Sequence, residues 1–462
     1  MSLTVGLDLG TSTLTAVAVE IPSGRVVGSI TAPTPGLESP EAILACMHQS
    51  MNILSVIAGM PDVQSLPILA LGVTGQQHGI LALDPQQSRP ITPFFGWQNQ
   101  LGEQPHPQGG TWAEVARERV GDASLRTGCR LRSGYGVVTL FAQRNHWPPR
   151  SLVCTLMDFW VAQATATLPR TDPTCAASLG AWDGIHACWD APTLQALELP
   201  ASWFPDVVPA GTCAGYLTHA WAAASGLPPG LPVMVAIGDN QASFLGSVPN
   251  AADCTLVNVG TGGQVSATTE QFAVDEVLEC RPYFQSRHLL VSAGQTGGAA
   301  FATLVAFFQR LQPELPWYEM LLQAAGDVAP GSDGVWCEPF FRGTRTEPQR
   351  RAQFSGLSDT TLTPGHLARA LLEGIARTLA QGRDSVLAQR GSSTSRLIGA
   401  GNGLRANPLL ARLVAESFNQ PLHFPRHREE AAFGAALGAA VGIGLFADFD
   451  AAGQAVRCEV AD

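Results

Sequence analysis

Apolar and polar residues alternate almost from the start of the chain. Residues 3–9, 14–20 and 25–30 each carry the period-2 pattern of a strand, and residues 10–13 and 21–24 hold the turn formers between them. A three-stranded meander is expected there. Residues 40–59 read as a helix, and "PILALGVTGQQHGI" reads as a further strand with a turn at Gly75. Residues 85–150 are rich in Pro, Gly, Trp and polar side chains and are expected to form long loops. Residues 151–168 look helical.

The second half repeats this logic. "PVMVAIGDNQASFLGS" is a strand ending at Gly238 and Asp239, followed by a helix start made of small residues. "CTLVNVGTGGQVSATT" is again strand, Gly-Thr turn, strand. A β–(Gly-Thr)–β unit thus occurs at residue 10 and again at residue 260, which points to two similarly folded domains facing each other. The pattern breaks at "GSVPNAAD", so domains of residues 1–246 and 247–462 are expected. Helices dominate residues 364–445, interrupted by "GAGNGLRANP".

Length and composition narrow the class. A chain of 462 residues exceeds what one core accommodates, and two or roughly three domains follow. With 45% apolar and only 14% charged residues, the chain is neither disordered nor a coiled coil. A net charge of −11 without a basic stripe argues against nucleic acid as a partner. It leaves phosphorylated small molecules open, because backbone N–H groups hold phosphate without Lys. The ten cysteines form no C-x-x-C pair, so buried thiols are expected rather than zinc or disulfides. A strand within a few residues of Met1 leaves no room for a signal peptide. The uncharged run 431–447 is mostly Ala and Gly, and suits a buried helix better than a membrane span. A soluble, cytoplasmic protein with no membrane contact is expected.

A turn of small residues between strands aims several N–H groups to one side and forms an anion-binding concavity. Thr11, Ser12 and Thr13 add hydroxyls to the first turn. Asp8 repels a bare phosphate but can share one with Mg²⁺. The stretch reads either as a metal–phosphate site or as an ordinary hairpin turn. A second copy facing the first favours the metal–phosphate reading. Asp239 ends a predicted strand, where ligands bind in α/β folds, and can serve as a general base or as a cap for the next helix. Neutral amide and imidazole groups such as those of Gln77 and His78 suit hydroxyl recognition, although a lone His beside a turn is as readily structural.

"GLDLGTST", "GVTGQQHGI", "CAASLGAWD", "IGDNQAS", "NVGTGG", "GAGNGLRANPLL" and "EEAAFGAALGAA" occur in that order from residue 5 to about residue 445. Together they resemble the FGGY carbohydrate kinases, of the actin and hexokinase superfamily. The resemblance implies an α/β fold with two ribonuclease H-like domains around a deep cleft for ATP and sugar. It makes Gly10, Thr11, Ser12 and Thr13 the first phosphate loop and Gly260, Thr261 and Gly262 the second. It places Mg²⁺ at Asp8 and Asp239 and makes Asp239 the catalytic base. Gln77, His78, Trp97, Asn99 and Asp239 would meet the sugar, Trp97 through its apolar ring face. Adenine would lie at Gly401, Asn402, Gly403 and Asn407, where glycines let backbone approach a flat ring, with the small-residue helix packed close by. Loops 85–110 and 175–183, the latter carrying Ser178, would wall the sugar pocket.

Two positions depart from the family pattern: Thr15 stands where Lys is usual, and Asn99 where Asp is usual. The implied activity is ATP-dependent phosphorylation of a ketose at its terminal hydroxyl. A seven-carbon ketose is the first expectation; xylulose, another ketose or a polyol is the second. A non-catalytic nucleotide-binding protein is the remaining alternative. The implied partners are ATP, Mg²⁺ and a small sugar, with the chain a monomer or homodimer.

Overall fold

The computed structural model describes residues 1–461 apart from 87, 274, 276, 345, 346 and 348. The chain opens with the expected meander. Strands β1 (Ser2–Leu9), β2 (Thr13–Ile21) and β3 (Arg25–Pro33) pair antiparallel. Helix α1 (Pro40–Ala58) follows, with Ser39 Oγ accepting from the Ala42 N–H at 3.1 Å and Pro40 in the first turn, where its missing N–H costs nothing. Strand β4 (Ile68–Gly75) then returns parallel to β1. The sheet is completed by β5 (Cys213–Tyr216), β6 (Pro232–Met234) and β7 (Ile237–Gly238), in the order β5-β6-β4-β1-β2-β3, with β7 also on β4.

The second sheet is built from β8 (Cys254–Val259), β9 (Gly262–Thr269), β10 (Glu279–Pro282), β11 (His288–Thr296), β12 (Arg396–Ala400), β13 (Leu422–Pro425) and β14 (Cys458–Val460). Its order is β10-β11-β9-β8-β12-β13-β14. Strand β8 makes an antiparallel hairpin with β9 and pairs parallel with β12, as β1 does with β2 and β4. Strand β11 lies antiparallel on β9, as β3 does on β2. The two sheets therefore share one topology, that of the expected ribonuclease H-like repeat.

Two stretches differ from expectation. Residues 151–168 are not helical throughout. Leu152–Cys154 pairs with Leu81–Asp84, and helix α2 (Leu156–Thr165) starts only after Thr155, whose Oγ1 accepts from the Asp158 N–H at 3.1 Å. Residues 85–150 are not only loops. Helices Trp112–Val120 and Gly136–Gln143 pack around their own core, where Trp112 meets His106 and Phe141 edge-on and Trp147 lies 6.0 Å from Trp203. Aromatic residues this far apart in sequence leave no periodic signal, so this core was not legible beforehand.

Three further helices set the frame of the site: α3 (Pro173–Ser178), α4 (Asp239–Ser247) and, in the second half, α5 (Gly298–Leu311). The small-residue run forms α6 (Glu430–Gly442), which is shorter than expected and buried. It does not pack mainly on the 401–407 loop, to which Arg405 Nη2 links it by a bond to Glu430 Oε1 at 3.4 Å. Instead α6 crosses to the first sheet and lies on β1, β4 and α4. A Cβ on Gly6 would strike the Ala432 carbonyl, one on Gly72 that of Ala435, and one on Gly246 that of Glu430. Gly6 and Gly72 are neighbours in register. Only glycines allow a helix backbone to come this close to a sheet. A core of Val17, Val19, Ile237, Phe244, Leu256, Ile398 and Phe433 continues this contact across both halves.

Among the described residues one helix, α1, is long and apolar enough to cross a membrane. Its Ile43, Met47, Leu54 and Ile57 are buried in the first core. All ten cysteines are unpaired; Cys188 alone is exposed, and burial pushes the Cys46 thiol up to about 12.

Two glycines on α6 make a matched test. A Cβ on Gly434 would overlap the Ala242 carbonyl, whereas one on Gly438 would meet only Ile237 Cδ1 at 3.6 Å and Phe449 Cε1 at 3.7 Å. We expect Gly434→Ala to cost at least about 2 kcal/mol by overpacking. Gly438→Ala should be neutral or stabilise by up to about 1 kcal/mol, the helix preference of Ala over Gly. Urea unfolding midpoints of the two variants check both signs.

Candidate active site

The first turn joins β1 to β2 and is held from below. Thr34 Oγ1 donates to the Gly10 carbonyl at 2.8 Å, and the Thr34 N–H to the Ser12 carbonyl at 3.0 Å. Gly10 has no room for a side chain, since a Cβ there would lie 2.7 Å from the Thr13 carbonyl oxygen. Thr11 Oγ1 accepts from Trp97 Nε1 at 2.9 Å, while Ser12 and Thr13 are exposed. The second turn, Gly260 and Thr261 between β8 and β9, is pinned to the start of α5. The Gly298 N–H donates to the Gly260 carbonyl at 2.9 Å, and the Ala299 N–H to that of Thr261 at 3.0 Å. Above it opens a groove of about 850 Å³, lined by Gly260, Thr261, Gly298, Ala299, Arg310 and Arg342. This is ample for a nucleotide. Gly298, Ala299 and Arg342 escaped the sequence reading; the one signal available was the run of small residues in "QTGGAAF".

The 401–407 loop lies beside the second turn, because Gly401 and Gly403 sit against Val259, the last residue of β8. Gly401 has φ 85°, a left-handed conformation open to glycine. Gly399 belongs to β12. Asn402 is exposed, whereas Asn407 is buried and uses its Oδ1 to cap the next helix at the Leu410 N–H, 2.9 Å away. None of Gly401, Asn402, Gly403 and Asn407 lines the groove of Gly260 and Thr261.

Three parallel strands of the first sheet end side by side. Asp8 on β1 is in register with Thr74 on β4, which is in register with Ile237 on β7; one step further, Leu9, Gly75 and Gly238 form the next row. Asp239 follows at once as the first residue of α4. It does not cap that helix: the cap is Gly238, whose N–H donates to Thr174 Oγ1 at 2.8 Å. Burial pushes the Asp239 carboxyl up to about 6, opposed first by the Arg281 guanidinium and then by the N–H groups of Asn240 and Gln77. Burial, then Asp239, then Glu429 push Asp8 up to about 8. Asp8 Oδ1 is buried with no hydrogen-bond partner.

A narrow cavity beside Asp239 is lined by Gln77, His78, Tyr135, Ser178 and Gln241 from the first half, and by Glu279 and Arg281 from the second. His78 has φ 70°, and its Nδ1 lies 2.6 Å from the Ser178 carbonyl. A carbonyl only accepts, so Nδ1 carries the proton. Gln77 Nε2 donates to the Thr174 carbonyl and to Gln241 Oε1, each at 3.0 Å, so Gln77 braces the cavity wall. Trp97 and Asn99 do not line it. Trp97 stands at the first turn, and Asn99 folds its own loop, donating to the Gly96 carbonyl at 2.7 Å and accepting from the Leu101 N–H at 3.2 Å. The first of these bonds needs an amide donor, which a carboxylate could not supply. Thr15 lies across β1–β2 from Asp8, buried, with its Oγ1 3.1 Å from Thr31 Oγ1. It offers no charge to the cleft. Tyr135, Glu279, Arg281 and Gln241 were not read from the sequence, since nothing in local pattern ties them to the "TGQQHG" turn.

The chain matches the model of the FGGY family of carbohydrate kinases over both parts, its N-terminal domain at residues 3–246 and its C-terminal domain at residues 256–443. The chain belongs to this family and is an ATP-dependent carbohydrate kinase. A sedoheptulokinase from Mus musculus is 27% identical over 94% of this chain and 96% of its own, and a xylulose kinase from Escherichia coli is 27% identical over 94% and 88%. The crystal structure of a gluconate kinase from Lactobacillus acidophilus superposes with a TM-score of 0.83 over 99% of this chain and 93% of its own at 19% identity, a likeness of fold.

Kinases of this family use Mg²⁺ with ATP, and the residues present fit such an ion. Asp8 carries an unpartnered buried oxygen, and Asp239 and Glu429 raise its cost of ionisation. Among the described residues no group of three His, Cys, Asp or Glu side chains forms a metal cage. That suits Mg²⁺, which is commonly held by one or two carboxylates together with phosphates and water. We expect Asp8→Asn to raise the Mg²⁺ requirement and lower kcat by about tenfold or more, with the sugar KM changed by less than about twofold. ADP formation across an Mg²⁺ titration checks this; unchanged behaviour at limiting Mg²⁺ removes Asp8 from the metal site.

Proposed function

We propose that this kinase phosphorylates the terminal hydroxyl of a ketose, with sedoheptulose giving sedoheptulose 7-phosphate as the leading acceptor and D-xylulose next. The observation that carries the reading is the place of Asp239, at the ends of three parallel strands between the first Gly-Thr turn and the narrow cavity. The similarity to sedoheptulokinase along nearly the full length of both chains supports the seven-carbon acceptor. The equal identity of a xylulose kinase keeps the five-carbon one in play. We place the protein in the cytoplasm, acting on small molecules.

In this reading the two Gly-Thr turns hold the phosphates from either side through backbone N–H groups. Mg²⁺ would be held at Asp8 and Asp239, and would neutralise charge on the transferring phosphoryl group. Gln77, His78 and Ser178 wall the narrow cavity, which holds only about 10 Å³ in this structure and has to open for a sugar to lie against them. Asp239 accepts the proton of the attacking hydroxyl. In a loose phosphoryl-transfer transition state that proton leaves late, so a positioned carboxylate suffices. Burial serves the same end, since water competes with the sugar for the phosphoryl group.

Asp239→Asn keeps the shape and removes the proton acceptor. We expect kcat to fall at least about 100-fold with affinity for Mg²⁺-free ADP nearly unchanged. Steady-state kinetics together with calorimetric ADP binding read the two effects separately, and a loss below about tenfold rules out the base. A panel of ketoses, polyols and aldoses assayed for ADP formation decides the acceptor. We expect kcat/KM in the order sedoheptulose, xylulose, glycerol. A better rate with xylulose or a polyol would replace the acceptor and leave the kinase in place.

A further inference from the structure

We propose that Glu279 and Arg281 are the acceptor-specificity residues: a buried carboxylate–guanidinium pair, supplied by the second half of the chain, that reads the hydroxyl and carbonyl groups of an uncharged sugar and turns sugar acids away. The proposal rests on the narrow cavity being the acceptor site.

Both residues lie on β10, and strand alternation puts residues 279 and 281 on one face. The strand is stapled to the first half on either side of that face. The Cys280 N–H donates to the Gly128 carbonyl at 3.0 Å, and Gln241 Nε2 to the Pro282 carbonyl at 2.9 Å. Glu279 and Arg281 therefore stand in the wall of a cavity otherwise formed by the first half. Arg281 Nε donates to Glu279 Oε2 at 3.0 Å and Nη2 to the same oxygen at 2.5 Å. Tyr135 Oη donates to Glu279 Oε1 at 3.4 Å, a bond across the two halves. The pair is nearly excluded from water, with side chains 13% and 6% exposed.

A buried ion pair is a poor source of stability, because desolvation cancels most of its attraction. At a cavity wall it is a good reader of sugars: the carboxylate takes hydroxyl hydrogens, and the guanidinium gives hydrogen bonds to oxygens. Its own charges cancel. Asp239 lies within electrostatic reach of Arg281, and Asp8 and Glu429 stand beyond it. Glu279 occupies the Nε and Nη2 edge of Arg281, so no free guanidinium fork is left for a carboxylate on the acceptor. With the charge of Glu279 removed, Arg281 becomes a two-pronged carboxylate site.

The test compares sedoheptulose, xylulose and gluconate as acceptors for the wild type, Glu279→Gln, Arg281→Met and Arg281→Lys. We expect the wild type to prefer the ketoses. Glu279→Gln should lower ketose kcat/KM by about tenfold or more and raise the gluconate-to-ketose ratio at least about tenfold, with the ATP KM changed by less than about twofold. Arg281→Met should lose ketose and gluconate alike, and Arg281→Lys should recover part of the ketose rate. A purely structural pair would move the ATP KM and thermal stability along with the acceptor. If Glu279→Gln does not fold, Arg281→Lys carries the test, with ketose kcat/KM expected to fall several-fold at constant ATP KM. The proposal is overturned by a wild type that prefers gluconate, by an unchanged acceptor ratio in Glu279→Gln, or by an ATP KM that shifts as much as the acceptor term. If the wild type turns over no ketose, the proposed substrate class fails. Calorimetric binding of the same acceptors with ADP present then still judges the pair, and unaltered selectivity in Glu279→Gln overturns it.

Discussion

Everything at the site hangs on two backbones in direct contact. Helix α6 lies on Gly6 of β1 and Gly72 of β4, and its Gly434 fits against Ala242 of α4. Thr4 Oγ1 reaches the Ala436 carbonyl at 2.9 Å and ties the same strand to the same helix. Because no side chain intervenes, the separation is set by main-chain atoms and cannot be repacked by rotamer changes. The ends of β1 and β4 and the start of α4 are thereby held in one rigid arrangement. Those three points carry Asp8, the Gln77–His78 turn and Asp239. The second half of the chain supplies α6, so part of the framework of the first sheet comes from the far end of the sequence.

That rigidity is what allows carboxylates to be buried together. Asp8 and Asp239 each resist ionisation in this setting, and Asp8 keeps an oxygen with no partner. Such a cluster costs stability, and surrounding structure must over-determine it for it to persist. Its value lies in what it offers a cation and a phosphate. The turns beside it follow the same rule. Gly260 and Thr261 cannot drift, because their carbonyls accept from the first N–H groups of α5, and the first turn is fixed through Thr34 and Trp97.

The repeated topology serves two tasks. In the first half the hairpin sheet has gained an aromatic-rich addition, whose Trp112, Phe141, Trp147 and Trp203 form a separate core and bring Tyr135 to the cavity. In the second half the equivalent hairpin opens onto the groove of about 850 Å³, and β10 reaches back to close the narrow cavity. The narrow cavity and the wide groove are built on the same supersecondary unit, with different additions.

The sequence by itself determined the elements whose signal is local. Period-2 alternation marked β1, β2 and β3; small residues between strands marked both Gly-Thr turns; the strand ending at Gly238 marked Asp239. These features depend on backbone geometry over fewer than about ten residues, and such geometry is written in neighbouring side chains. Tertiary structure decided the rest. It placed Asn99 in its own loop, tied also to Thr139 of the aromatic core, and Asn407 at a helix cap, so that neither lines the cavities described. It sent the Ala- and Gly-rich helix to the first sheet, because a helix that is small on every side carries no direction in its pattern. It joined Glu279 and Arg281 to Gln77 and Ser178, which lie at least 100 positions earlier in the chain. Pairing at that distance depends on how the two sheets meet, and nothing in the order of residues along one strand records that.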